Sequence, residues 1–106
     1  MSDILSELNT RLINNQTRQK EIERSIDFLP KGHINILKRN GKGYYYLTYR
    51  EGKKIKNEYL GVVGKTDLSK TISKLKQRDN YNKEINELKV EEKTLIKLIK
   101  KVKWYF

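Results

Sequence analysis

Cysteine is absent from the sequence, which removes disulfide frameworks and thiolate metal sites from consideration. Histidine occurs once, at His33, so an imidazole-based nucleophile–base pair has a single candidate base. The serines Ser2, Ser6, Ser25, Ser69 and Ser73 fall in or at the edges of helical patterns with no base at a useful spacing, and His33 reads as a surface or sheet-edge residue. The only proline is Pro30. No segment approaches the roughly 20 consecutive apolar residues of a spanning helix, and the early acid Asp3 interrupts any apolar signal-like start. These absences predict a soluble, cytoplasmic, non-enzymatic protein without cofactor, metal or membrane partner.

What is present is charge and tyrosine. Hydrophobic residues make up 36% of the 106 and charged residues 35%, so the core has to be thin and assembled from stripes. The formal charge is +11, unevenly spread: residues 1–29 carry four basic and five acidic side chains, residues 30–64 eight and two, and residues 65–106 twelve and six. The positive field belongs to the middle and the end of the chain. It favours nucleic acid, an anionic membrane surface or an acidic protein groove without choosing among them, and the predominance of Lys over Arg points to backbone electrostatics over base reading.

Residues 3–29 predict an amphipathic helix, because Leu5, Leu8, Leu12, Asn15, Gln19, Ile22, Ile26 and Leu29 alternate at spacings of three and four. Asn15 and Gln19 place polar groups in the middle of that seam, where a polar contact or a partner residue is expected. Ser2 or Asp3 supplies the N-cap, and Pro30 with Gly32 stops the helix.

From residue 33 to 60 the period changes to two. Asn40-Gly41-Lys42-Gly43 and Glu51-Gly52-Lys53 punctuate it into three antiparallel strands, His33–Arg39, Tyr44–Arg50 and Lys54–Leu60. In the second strand Tyr45, Leu47 and Tyr49 oppose Tyr44, Tyr46, Thr48 and Arg50. Tyr45 and Tyr49 are assigned to the core, while Tyr44, Tyr46 and Arg50 are assigned to a nucleic-acid contact face with Lys54 and Lys56. The hairpin lysines Lys42 and Lys53 hold flanking phosphates. Aromatic stacking and phosphate neutralisation are the chemistry this mixture offers, whereas packing and edge protection explain the same residues in an ordinary sheet.

Thr66 or Asp67 caps a second helix, 67–104, with an apolar stripe through Leu68, Ile72, Leu75, Tyr81, Ile85, Leu88, Leu95, Ile99 and Val102. A run of three-residue spacings through Arg78 interrupts the heptad, and Asp79-Asn80 marks the expected bend. Paired antiparallel with the first helix, the second should overhang by its last ten or so residues, given about 1.5 Å rise per residue. Leu88, Leu95, Ile99, Val102 and Trp104 are therefore assigned to an oligomer or partner interface. Glu84, Glu87, Glu91 and Glu92 beside Lys83, Lys89 and Lys93 read as i, i+4 ion pairs, not a metal site. Gly61-Val62-Val63-Gly64-Lys65-Thr66 ends like a P-loop but with the first glycine too near the second for that motif, which leaves at most a single phosphate at the helix N-terminus. The whole is a single α+β domain: a long N-terminal helix, a three-stranded antiparallel meander, and a long C-terminal helix that pairs with the first as a helical hairpin or coiled-coil arm.

Gly41-Lys42-Gly43-Tyr44-Tyr45-Tyr46, Arg50-Glu51-Gly52-Lys53, Tyr59-Leu60-Gly61 and Lys65-Thr66-Asp67-Leu68 together resemble the arm-site-binding domains of phage tyrosine integrases. The resemblance implies a three-stranded sheet in the DNA major groove, backed by a helix. A hairpin near the start of some insertion-sequence transposases is also similar. The chain departs in carrying Tyr44 where the integrase domain has a tryptophan and in having no catalytic domain, so the resemblance implies a binding module alone. Overall it is similar to small uncharacterised proteins of prophages and mobile elements. Size and charge also fit an inhibitor of a nucleoprotein defence complex, as in anti-CRISPR proteins, or an assembly adaptor.

Overall fold

The computed structural model describes residues 3–105 and has the element order α1 (Ile4–Ile26), β1 (His33–Arg39), β2 (Lys42–Glu51), β3 (Lys54–Val62) and α2 (Ser69–Tyr105). The α+β architecture follows the sequence pattern: an N-terminal helix, an antiparallel sheet of order β1-β2-β3, and a C-terminal helix that packs against the first. None of the described helices is long and apolar enough to cross a membrane.

By its internal contacts the chain forms two compact units. One is Leu29–Arg78, and the other joins the described residues up to Phe28 with those from Asp79 onward. The division falls between Arg78 and Asp79; the bend expected at Asp79-Asn80 is not found, because α2 is continuous helix there.

The helical unit begins at Asp3, whose carboxylate accepts the Ser6 amide at 2.6 Å and satisfies one of the free donors of the first turn. α1 ends at Ile26, three residues before the expected stop. Asp27 and Phe28 form a turn because Pro30 bars its predecessor from helical geometry, so the helix cannot close on Leu29. α1 and α2 are antiparallel: Leu8 is buried with Leu95 and Ile99, and Leu5, Leu12 and Val102 pack against that cluster. Farther along, Arg18 meets Glu84.

This pairing corrects the overhang. Leu95, Ile99 and Val102 pack with the first turns of α1, so the extra length of α2 is its N-terminal portion, Ser69 to Arg78, which belongs to the other unit. Beyond Val102 the described chain continues to Tyr105, and Phe106, the last of the residues expected to overhang, lies outside the described residues.

Asn15 and Gln19 are buried in the seam, and their amides are satisfied within the chain. Gln19 Nε2 donates to Asn15 Oδ1 at 2.7 Å, and Asn15 Nδ2 donates to the Leu88 carbonyl at 2.8 Å and to Glu91 Oε1 at 3.0 Å. The expected polar contact is thus a bridge between the two helices that fixes their register. The glutamates also differ from expectation: Glu84 accepts both Arg18 Nε (2.6 Å) and Nη2 (3.0 Å), Glu91 accepts Asn15, and Glu92 accepts Gln16 at 3.2 Å. These three serve pairing between helices, because the antiparallel register brings α1's amides and guanidinium opposite them.

In the sheet unit, Asn40 and Gly41 both have positive φ (51° and 77°), as the tight turn between β1 and β2 requires. β2 starts at Lys42 and β3 extends to Val62, longer than the sequence pattern indicates. A bulge follows: Tyr45 pairs with Gly61 and Tyr46 with Tyr59, so Leu60 is the extra residue. Gly61 has φ 152°, and any side chain there would overlap Thr66, so the bulge needs glycine. Leu47 is buried, and Ile34, Tyr45 and Tyr49 on the same face are half-buried. Arg78 interrupts the apolar stripe of α2 for a reason: its Nη1 donates to the Leu29 carbonyl at 2.9 Å within this unit.

Candidate nucleic-acid interface

Sheet register decides which side chains share a face, since successive residues of a strand point to opposite sides. The two-residue loop Gly52-Lys53 sets Glu51 opposite Lys54, hence Arg50 opposite Ile55, Thr48 opposite Asn57 and Tyr46 opposite Tyr59. On the other side Arg39 faces Lys42, Leu37 faces Tyr44, Asn35 faces Tyr46, and His33 faces Thr48. One face of the sheet therefore carries Tyr44, Tyr46 and Tyr59 together, with Arg39 and Lys42 at one end and Arg50 at the other.

The tyrosines form a cluster. Tyr46 and Tyr59 meet edge to face with ring centroids 5.6 Å apart, and Tyr44 leans on Tyr59 at 6.3 Å with a 50° tilt. Quadrupole contacts of this kind fix rings at low entropy cost. Tyr59 remains 54% exposed and Leu37, opposite Tyr44 on β1, 42%, so the pad is open to solvent. From Lys42 to Arg50 the strand extends about 27 Å at about 3.4 Å per residue, which separates the two cationic ends.

Next to the aromatic pad a row of hydrogen bonds crosses all three strands. Asn35 Nδ2 donates to Thr48 Oγ1 at 2.7 Å, and Thr48 Oγ1 donates in turn to Asn57 Oδ1 at 2.7 Å. Asn35 Nδ2 also lies 3.2 Å from His33 Nε2, which accepts.

Of the residues assigned to contact from sequence, Tyr44, Tyr46, Arg50 and Lys42 share this face, and Lys53 lies in the turn at its Arg50 end. Lys54 and Lys56 do not. They pair with Glu51 and Tyr49, so they point to the opposite side with Leu47, and Lys56 Nζ forms an ion pair with Glu51 at 2.9 Å. That contact, with the attraction between the same charges, holds the Glu51 carboxyl below its usual range and raises the Lys56 ammonium. Tyr59, Arg39, Asn35 and Asn57 stand on the tyrosine face instead. The tight turns carry the signal for this, because each fixes which residues stand opposite one another.

The residues assigned to an interface on α2 separate similarly. Leu95 and Ile99 are buried against Leu8, and Leu88 and Val102 are half-buried, so the chain itself covers most of that stripe. Trp104 is 85% exposed, and a shallow groove on α2 joins it to Leu98 between the stems of Lys97 and Lys101.

The phosphate position proposed at the start of α2 is occupied from within. Asp67 accepts both the Ser69 amide (2.9 Å) and the Ser69 hydroxyl, which lowers the carboxyl below its usual range and puts a negative charge where an anion would bind. Among the described residues no group of three or more acidic or histidine side chains is placed to hold a metal ion.

No curated protein and no solved structure matches the chain. A family described as Domain of unknown function (DUF6788) matches residues 10–70, more than half of the sequence and all of the sheet, and the chain belongs to that family.

Proposed function

We propose that the chain is a cytoplasmic, non-catalytic nucleic-acid-binding protein that uses the open face of its sheet. The observation that supports this reading is the convergence of Tyr44, Tyr46 and Tyr59 on one exposed face between Arg39 with Lys42 and Arg50, in a chain of net charge +11. The cations neutralise phosphates and release counterions, and the rings stack on or wedge between bases. Lys53 adds charge at the turn, whereas Lys54 and Lys56 contribute only to the general field.

The test is equilibrium binding to fluorescent duplex and single-stranded oligonucleotides across a salt series, for the wild type and for Tyr44→Ala/Tyr46→Ala/Arg50→Ala. The expected result is binding that weakens with salt and falls sharply in the triple variant. No binding at low salt, or binding indifferent to the substitutions, overturns the reading.

A second reading, a protein-binding inhibitor or assembly adaptor, rests on Trp104 and Leu98, apolar side chains exposed among lysines on α2. It predicts that Trp104→Ala abolishes self-association or partner capture measured by light scattering and pull-down, while oligonucleotide binding is retained.

A further inference from the structure

From the hydrogen-bonded row across the sheet we infer that this face reads base identity through Asn57 and Asn35, with Thr48 as the residue that sets their orientation. The inference rests on the nucleic-acid reading of the same face.

A carboxamide carries a donor end and an acceptor end of nearly equal shape, and its terminal torsion is broad and close to two-fold. An unanchored asparagine on a surface therefore offers either end to a ligand and discriminates poorly. Here the Thr48 hydroxyl removes that freedom at both neighbours. It has one proton, which goes to Asn57 Oδ1, and it accepts from Asn35 Nδ2. Asn57 is thereby held with Nδ2 turned away from the row and both of its N–H groups without a protein partner. Asn35 is held the opposite way, with Nδ2 engaged by Thr48 and His33 and Oδ1 left to accept.

The face thus shows a set pattern across its width: a donor on β3 and an acceptor on β1, strands about 10 Å apart at two inter-strand spacings. A donor–acceptor pattern is what distinguishes base edges, whereas phosphates supply acceptors alone. The row sits between the tyrosine pad and Arg50, so a nucleic acid held by those groups passes directly over it. Asn57 is exposed and Asn35 half-buried, so the free ends are accessible.

A row that only stiffened the sheet would be served equally by apolar cross-strand pairs. A hydroxyl relay that orients two amides in opposite senses has a use when their ends are read.

The experiment uses the full chain and a DNA library with a randomised centre, offered as duplex and as single strands, with the retained fraction sequenced. Four proteins are compared: wild type, Thr48→Val, Thr48→Ser and Asn57→Ala. Valine keeps the shape and strand preference of threonine and removes only the relay. The expected result is a sequence preference in the wild-type pool that falls about fivefold or more in Thr48→Val and in Asn57→Ala, the loss of one base contact. It returns in Thr48→Ser, which restores the hydroxyl. Whichever pool, duplex or single-stranded, carries the preference identifies the form that is read. Retention with no enrichment by the wild type overturns base reading and leaves nucleic-acid binding standing, as does an enrichment that Thr48→Val leaves intact. No retention of either library overturns both.

Discussion

Tyr46 and Tyr59 meet edge to face across two antiparallel strands with their ring centroids 5.6 Å apart. Tyr59 is the more exposed partner and bridges to Tyr44 as well, so it is the centre of the pad and not an accessory to it. Tyr59→Ala should therefore weaken oligonucleotide binding at least as much as Tyr46→Ala, by about 1–3 kcal/mol, while Tyr59→Phe retains most of the affinity. Fluorescence anisotropy titration decides this. An affinity unchanged in Tyr59→Ala removes the pad from the binding surface.

Charge on the two faces of the sheet should behave differently although the residues are neighbours in sequence. Arg50 faces the pad, and Lys56 faces away and is paired with Glu51. Arg50→Ala should reduce the slope of log affinity against log salt by about 0.7–0.9, the value of one lost phosphate contact. Lys56→Ala should leave the slope in place and lower only the overall affinity through the weakened field. Equal slope changes would show that the binding surface is not the face that carries the tyrosines.

The element order and the polar seam were legible from the sequence because each rests on local chemistry: a three-and-four period, a two-residue period, turn glycines and a proline. The composition of the face was legible only in part. Alternation along β2 separates Tyr44 and Tyr46 from Tyr45 and Tyr49, but composition alone attracts Lys54 and Lys56 to the tyrosines. The Gly52-Lys53 loop places them on the other side and puts Tyr59 opposite Tyr46. The bulge at Leu60 carries no such local signal, since Gly61 reads equally as a turn residue. The burial of Leu95 and Ile99 depended on alignment of the two helices, which their lengths do not fix. It is fixed by Asn15 against Leu88 and Arg18 against Glu84, contacts between residues remote in sequence.

The helical unit should lose stability in acid through Glu84. Its carboxyl lies below the usual range because the Arg18 guanidinium donates a hydrogen bond to it, which outweighs the opposing desolvation, with a smaller contribution from the opposite charge. A folded-state value below the unfolded one means that the unfolded chain binds the proton more readily. The contribution is then present above the unfolded value of about 4.3 and is lost as pH falls through the folded one. Carboxyl titration by NMR should place Glu84 below an unpaired glutamate, and Arg18→Gln should move its midpoint upward. The pair is solvent-exposed, so salt should shrink the difference. A Glu84 midpoint that ignores Arg18→Gln would show that the ion pair does not persist in solution.

Asn15 and Gln19 give the most demanding test of the helical unit, because a satisfied buried pair and a broken one have opposite consequences. Asn15→Leu supplies an apolar seam residue but leaves the Gln19 amide without its acceptor at a buried position, and should cost about 1–3 kcal/mol in urea denaturation. Asn15→Leu/Gln19→Leu removes both polar groups and completes the heptad, so it should recover that loss and match or exceed the wild type. The non-additivity of the cycle measures the coupling between the two side chains. What the double variant should lose is uniqueness. Without the amide that binds the Leu88 carbonyl and Glu91, the buried seam has only apolar contacts to set the alignment of the helices, and light scattering should reveal more association than in the wild type. A double variant less stable than either single one would mean that the seam depends on its polar bridge for stability as well as for register.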